Sequence, residues 1–130
     1  MYYLADTVAL VRHLRGGRGL GRQARGILRE AEQGQHTIAI SGITLVEILY
    51  LSERRRIPVD FTTLDNFLAH SSNYAVVSVG FQVVKAAAAI DDIPELHDRL
   101  IAGTAAWLSV PILTNDSVMI ASQHVQTVWQ

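Results

Sequence analysis

Short apolar runs alternate along the chain with longer segments in which apolar residues recur every three or four positions. The short runs predict β-strands at Tyr2–Ala5, Thr37–Ile40, Ala75–Val77, Ile112–Leu113 and Val125–Trp129. The longer segments predict helices between these strands. Strands that alternate with helices form βαβ units, in which the strands are parallel and helices cover both faces of the sheet. We therefore predict an α/β fold with three layers, α/β/α, around a central and mainly parallel sheet.

Capping residues indicate where the later helices should begin. Ser41 directly follows the second strand and can cap the third helix. Asp92, with Glu95 three residues further on, has the spacing of a capping box and predicts the start of a long helix. Thr114 or Asn115 can cap a last short helix after the fourth strand. These caps determine how deep in each helix a given side chain should lie.

Length and composition exclude several classes of protein. The chain has 130 residues, which fits one domain spanning 1–130, and it contains no cysteine. The absence of cysteine excludes disulfides, cysteine-ligated zinc or iron–sulfur sites and a thiol nucleophile. No apolar run approaches the about 18–20 residues of a membrane span, and an acid at position 6 interrupts any signal-peptide core. We therefore expect a soluble, cytoplasmic protein with no membrane partner.

The formal net charge of −1 hides a difference between two parts of the chain. Residues 1–33 carry six arginines against three acids, whereas residues 34–130 carry five basic residues against nine acids. Four of the arginines are spaced four, three and four positions apart, so that one helix would present them as a stripe. These are Arg18, Arg22, Arg25 and Arg29. The stripe is either a solvated helix face or a strip that follows RNA phosphates beside an acidic site. Arg54–Arg56 form a second basic patch, which we interpret as a helix C-terminus that complements the helix dipole.

Four carboxylates are placed where an open α/β sheet binds ligands, beyond the carboxyl ends of its strands. Asp6 follows the first strand and Asp116 follows the fourth. Glu47 and Asp98 each lie six residues beyond the expected cap of their helix, among apolar neighbours. Either aspartate at a strand end is equally well explained as a helix cap. Glu47 is harder to explain, because it is the only ionisable residue in 43–51 and burying an unpaired carboxylate costs several kcal/mol.

Four carboxylates at one edge of a sheet would repel one another unless a divalent cation neutralised them. An all-oxygen set of ligands suits Mg²⁺ or Mn²⁺. Such an ion can activate water and stabilise charge on a phosphoryl oxygen, which is the chemistry of a phosphodiester hydrolase. The histidines show no i,i+4 ligand spacing, so a histidine-based zinc site is not expected. We interpret His97, next to Asp98, as an ordinary surface or packing residue.

Four motifs along the chain resemble those of the PIN-domain ribonucleases, and among them the small VapC-type toxins of prokaryotic toxin–antitoxin pairs. They are Tyr3–Thr7, Ser41–Glu47, His97–Ala105 and Leu113–Asp116. The resemblance extends over nearly the whole chain, in the order and at the spacing of that family. One position departs from the family pattern, because Val8 stands where asparagine is common two places after the first aspartate. This departure would loosen hydrogen bonding around the site and leaves all four acids intact.

The resemblance implies an acidic quartet and a hydroxyl residue that helps to orient the last acid. The quartet is Asp6, Glu47, Asp98 and Asp116, and the hydroxyl residue is Thr114. The implied direct or near-direct metal ligands are the three aspartates, with Glu47 acting through a water or as the group that positions the nucleophile. The implied function is that of a Mg²⁺- or Mn²⁺-dependent endoribonuclease toxin, a homodimer, that cleaves single-stranded RNA with a metal-activated water and is inhibited by a cognate antitoxin. The alternative is a non-catalytic PIN-like RNA-binding or scaffold domain that acts through its arginine face.

Overall fold

A parallel sheet of five strands runs through the computed structural model, which describes residues 2–130. The strands are β1 (Tyr2–Ala5), β2 (Thr37–Ser41), β3 (Tyr74–Val77), β4 (Ile112–Leu113) and β5 (Thr127–Val128). Their order across the sheet is β3-β2-β1-β4-β5, and every pairing is parallel. The last strand is shorter than the predicted Val125–Trp129, because its partner β4 offers only two residues for pairing.

Helices connect the strands and cover the sheet. Within residues 2–130 they are α1 (Thr7–Leu14), α2 (Arg22–Glu32), α3 (Gly42–Glu53), α4 (Phe61–Ala69), α5 (Phe81–Ala88), α6 (Leu96–Leu108) and α7 (Ser117–Ala121). None of these helices combines the length and hydropathy that a bilayer crossing requires.

Two hydrophobic clusters lie on opposite faces of the sheet, because neighbouring residues of a strand point to opposite sides. In β2, Ile38 and Ile40 belong to the first cluster, whereas Ala39 belongs to the second. The first cluster contains buried residues from α1 to α4, and the second contains buried residues from α6 and α7. The predicted three-layer α/β/α architecture with a parallel central sheet is confirmed.

The N-terminus of α6 differs from the prediction. Glu95 is the cap, and its carboxylate accepts two backbone N–H groups of the first turn, each at 3.0 Å. Asp92, the predicted cap, instead accepts the Ser122 hydroxyl and the Gln123 N–H, both at 2.8 Å. These long-range hydrogen bonds use both oxygens of Asp92, so the helix begins three residues later than expected. Asp98 therefore lies in the first turn of α6 and not two turns into it.

The arginine stripe is shorter than predicted, because α2 begins at Arg22 with Gly21 as its cap. Arg18 consequently lies in the loop before the helix. Gly17 and Gly19 in that loop have φ angles of +86° and +87°, in the left-handed region that interrupts helical geometry. Only three of the four predicted arginines share one helix.

Helices α5 and α6 approach each other most closely at Gly103. A Cβ atom at this position would lie 2.9 Å from the Cβ and 2.9 Å from the backbone nitrogen of Ala87, which is buried. Backbone atoms cannot yield to such a contact as the end of a flexible side chain can. Gly26, in the middle of α2, is the opposite case, because a Cβ there would meet no atom within 4 Å.

We expect Gly103→Ala to lower the free energy of unfolding by about 1–3 kcal/mol, because the added methyl group forces α5 and α6 apart. The matched variant Gly26→Ala should raise it by about 0.5–1 kcal/mol, because alanine loses less backbone entropy in a helix. Urea denaturation of both variants measures the difference. Equal effects of the two substitutions would contradict close packing of α5 on α6.

Candidate metal centre

The four predicted acids line one cleft of about 240 Å³ at the carboxyl edge of the sheet. They are Asp6, Glu47, Asp98 and Asp116. Four different elements supply them: the end of β1, the middle of α3, the first turn of α6 and the segment after β4. Among the described residues that line the cleft, none is basic. The structure therefore concentrates negative charge in one concave site.

Asp6 joins the central strand to α1 and is only 5% exposed. Its Oδ1 caps the helix by accepting the Ala9 N–H at 2.8 Å. Burial raises the pKa of Asp6, whereas hydrogen bonds from the Thr114 hydroxyl and the Ala9 N–H lower it. The charges of Asp116 and Glu47 raise this pKa further. The carboxylate is thus desolvated beside like charges, an environment that a bound cation would stabilise.

Asp116, and not the predicted Thr114 or Asn115, caps α7. Its Oδ1 accepts the backbone N–H groups of Val118 and Met119 at 2.9 and 3.1 Å. The fully buried Thr114 hydroxyl accepts the Asp116 N–H at 3.0 Å. The cap lies later than predicted because Thr114 holds the backbone just before the helix and does not itself cap it.

Asp98 is partly exposed at the mouth of the cleft. Burial raises the pKa of Asp98 to about 6, and the negative charges of four neighbouring carboxylates contribute to the rise. These neighbours are Asp116, Glu95, Glu47 and Asp6. The electrostatic coupling shows that the acids interact with one another across the cleft.

Both oxygens of Glu47 have partners on other helices. Oε1 accepts a hydrogen bond from the Thr7 hydroxyl, and Oε2 lies 3.4 Å from Nδ1 of His97. The Thr7 hydroxyl also lies 3.2 Å from the buried Thr44 hydroxyl. The contact between Glu47 and His97 was not expected from the sequence, which indicated no partner for Glu47 and predicted an ordinary surface or packing role for His97. No local pattern indicates it, because α3 and α6 are far apart in the chain.

The chemistry of the cleft fits a hard divalent cation. Carboxylate oxygens are the ligands that Mg²⁺ and Mn²⁺ prefer. Asp6 and Asp116 each retain an oxygen that the helix cap does not use, and Asp98 caps no helix. Within residues 2–130, no three members of the quartet have ligand atoms within 4.8 Å of one another. At this spacing waters would complete the coordination, as is usual for Mg²⁺, which keeps several waters when proteins bind it.

A second group of candidate ligands lies on the surface, outside the cleft. Ligand atoms of Asp91, Asp92 and His124 are within 4.8 Å of one another, and all three residues are exposed. Both oxygens of Asp92 already accept hydrogen bonds from Ser122 and Gln123, and His124 Nε2 lies 2.8 Å from Asp91 Oδ1. These contacts attach the segment before α6 to the segment before β5, and they explain the group as a structural one.

Comparisons with known proteins give one family and several similar structures. The family model of the PIN domain matches residues 3–122. No curated protein matches the sequence. VapBC2 from Rickettsia felis, bound to a DNA fragment from its promoter, is similar with a TM-score of 0.75 and 20% identity, over 98% of this chain and 98% of that chain.

Two further solved structures have the same fold. A toxin–antitoxin complex from Klebsiella pneumoniae has a TM-score of 0.67 and 21% identity, over 97% of this chain and 95% of that one. VapC20 from Mycobacterium tuberculosis, a sarcin–ricin-loop-cleaving toxin, has a TM-score of 0.60 and 14% identity, over 95% of this chain and 98% of that one. The resemblance that the four sequence motifs indicated is thus matched by the whole fold.

The mutual repulsion of the acids gives a testable effect on stability. Because the pKa of Asp98 is about 6 in the folded protein, above its ordinary value, the folded chain binds this proton more tightly than the unfolded chain does. The free energy of unfolding of the metal-free protein should therefore increase as the pH falls from about 8 to about 5. Asp98→Asn should raise the melting temperature at about pH 8 and weaken this dependence on pH.

Thermal unfolding in EDTA measures both effects. Asp65→Asn, which neutralises an exposed acid on α4, is the matched control and should leave the pH dependence unchanged. If Asp98→Asn destabilises the metal-free protein at about pH 8, the acids do not repel one another as described.

Proposed function

The chain belongs to the PIN domain family, and from this premise we propose that it is a metal-dependent endoribonuclease toxin that cleaves single-stranded RNA. The observation that carries the proposal is the convergence of four carboxylates in one cleft without a basic residue among the described residues that line it. Helix capping accounts for Asp6 and Asp116 singly, but not for four carboxylates in one cleft, whose mutual repulsion a divalent cation bound between them would offset. The cleavage of the sarcin–ricin loop by the similar VapC20 supports RNA as the substrate.

In this proposal Asp6, Asp98 and Asp116 hold Mg²⁺ or Mn²⁺, directly or through bound waters. When bound, the ion supplies a water of lowered pKa and stabilises negative charge on a phosphoryl oxygen. The protein's contribution is to orient the ligands. Asp6 is fixed by the Ala9 N–H, and Asp116 by two N–H groups of α7. Thr114 supports both aspartates, since it holds the Asp116 backbone and interacts with the Asp6 carboxyl.

Glu47 has a different role in this proposal. Thr7 and His97 engage its two oxygens from opposite sides and hold the side chain in place. A carboxylate held in this way is suited to orienting a water and accepting its hydrogen bond. Hydrolysis transfers the oxygen of that water to phosphorus, and the leaving oxygen departs with a proton.

We also propose that a cognate antitoxin inhibits the protein and that the protein is a homodimer. The toxin–antitoxin complex among the similar structures supports an antitoxin partner. The exposed apolar side chains on α5, which include Phe81 and Val84, support a partner surface, because large exposed apolar groups are often covered in an assembly.

RNA cleavage tests the proposed function directly. We expect wild-type protein to cleave a single-stranded RNA in Mg²⁺ and to lose this activity in EDTA. Asp6→Asn and Asp98→Asn should each reduce the rate about 100-fold or more, because each removes a charged ligand. Asp65→Asn should cleave at the wild-type rate. Undiminished cleavage by both cleft variants would exclude the quartet mechanism, and metal-independent RNA binding without cleavage would favour the scaffold alternative.

Metal binding can be measured without any RNA. We expect Mg²⁺ or Mn²⁺ to raise the melting temperature of wild-type protein, because a ligand that binds only the folded state stabilises it. Asp6→Asn should reduce this increase strongly. Asp92→Asn, which alters the surface group with Asp91 and His124, should leave the metal-induced increase intact. If Asp92→Asn abolished the metal-induced increase and Asp6→Asn did not, the metal would bind at the surface group and not in the cleft.

A further inference from the structure

A second cleft, which we call the α3 cleft, adjoins the acidic one. It has a volume of about 280 Å³ and is lined by Val46, Glu47, Tyr50, Leu51 and His97. Glu47 and Leu51 line both clefts, so the two clefts are neighbours on α3. A molecule bound in the α3 cleft therefore lies directly beside one bound among the acids.

The walls of the α3 cleft combine apolar surface with aromatic rings. Val46 is 55% exposed and Tyr50 is 48% exposed, so both present apolar surface to solvent. The His97 side chain is 48% exposed and adds an imidazole ring at the N-terminus of α6. Unpaired nucleobases bind to such surfaces, by stacking on aromatic rings and forming a few polar contacts at their edges.

A cation stacks on the tyrosine of this cleft. The Arg54 guanidinium carbon is 3.8 Å from the centre of the Tyr50 ring, one helical turn away on α3. Arg55 and Arg56 follow and are exposed. Sequence reasoning interpreted this patch as a complement to the helix dipole. In the structure, Arg54–Arg56 also place positive charge next to the aromatic surface of the α3 cleft.

The arginines of α2 have a different setting. Arg22, Arg25 and Arg29 line a separate hollow that shares no residue with the acidic cleft. Arg25 also donates a hydrogen bond to the Gly17 carbonyl at 2.8 Å, so part of its side chain serves the loop before α2. The RNA contact of this stripe remains a prediction. The α3 cleft is the nearer binding surface, because it shares Glu47 and Leu51 with the acidic cleft.

We propose that the α3 cleft is a nucleobase subsite. The base of the nucleotide next to the cleaved phosphate stacks in it on the face of the Tyr50 ring that Arg54 does not cover, and Arg54–Arg56 bind the phosphates that follow. This inference rests on the proposed ribonuclease function. Single-stranded RNA is the occupant because its alternation of flat bases and anionic phosphates matches the order of groups from the acidic cleft along α3: carboxylates with their metal ion, aromatic surface, then cations.

Binding of a fluorescent single-stranded RNA oligonucleotide, measured by anisotropy, tests the subsite. The full chain carries Asp98→Asn in every sample so that RNA is not cleaved. Tyr50→Ala should weaken binding about tenfold, whereas Tyr50→Phe, which keeps the ring, should bind within about twofold of the parent. Arg54→Gln should weaken binding and reduce its dependence on salt.

Two matched controls lie outside the cleft. Trp107→Ala removes an aromatic side chain that is 48% exposed, as Tyr50 is, and should bind RNA as tightly as the parent. Arg29→Gln removes a charge of the α2 stripe and should weaken binding less than Arg54→Gln does. A greater loss for Arg29→Gln than for Arg54→Gln would place the RNA on α2 and overturn the proposal.

The remaining outcomes separate this inference from the function on which it rests. If the chain with Asp98 intact cleaves RNA and Tyr50→Ala leaves both RNA affinity and cleavage unchanged, the subsite is wrong and the ribonuclease function stands. If that chain neither binds nor cleaves RNA, both proposals fail. If Tyr50→Ala changes the molecular mass in solution and not the RNA affinity, the α3 cleft is a contact between protein chains, which also overturns the subsite.

Discussion

The pairing of β1 with its two neighbours brings the elements that carry Asp6, Asp116 and Glu47 to one edge of the sheet. Leu4 pairs with Ala39 on one side and with Ile112 on the other, so three strands end at one edge. Asp6 and Asp116 follow two of these ends, and α3 begins directly after the third. A slip of one residue would exchange the two faces of a strand and move each acid away from the cleft. The register is fixed because both faces of the sheet are buried.

The same packing makes a concentration of negative charge possible. Asp6 is nearly buried, and it keeps its position because the strand before it and the helix after it are both fixed in the core. A carboxylate there lowers the stability of the metal-free chain, and the hydrophobic clusters on the two faces offset this cost. The cleft therefore resembles other functional sites, in which the site residues lower the stability of the folded protein and the packing of the surrounding fold compensates for the loss.

Local patterns predicted most of the fold and the positions of the four acids, because strands, glycine breaks and acids after strand ends are visible in short segments. They did not distinguish Glu95 from Asp92 as the cap of α6. Either acid can cap a helix, and only the distant contacts of Asp92 exclude it. The partner of Glu47 was also hidden, since His97 lies fifty residues further along the chain. The prediction that Arg18 shares a helix with the other three arginines was wrong, because Arg18 lies in the glycine-containing loop that precedes α2.

The four acids come from positions 6, 47, 98 and 116, so nearly the whole sequence separates the first from the last. Contacts between such distant residues form late, because the entropy of closing long loops must first be overcome. A chain that has formed only β1 to β3 lacks two of the four acids and has no complete cleft. The assembled quartet is thus a property of the finished fold alone, and incompletely folded chains cannot carry it.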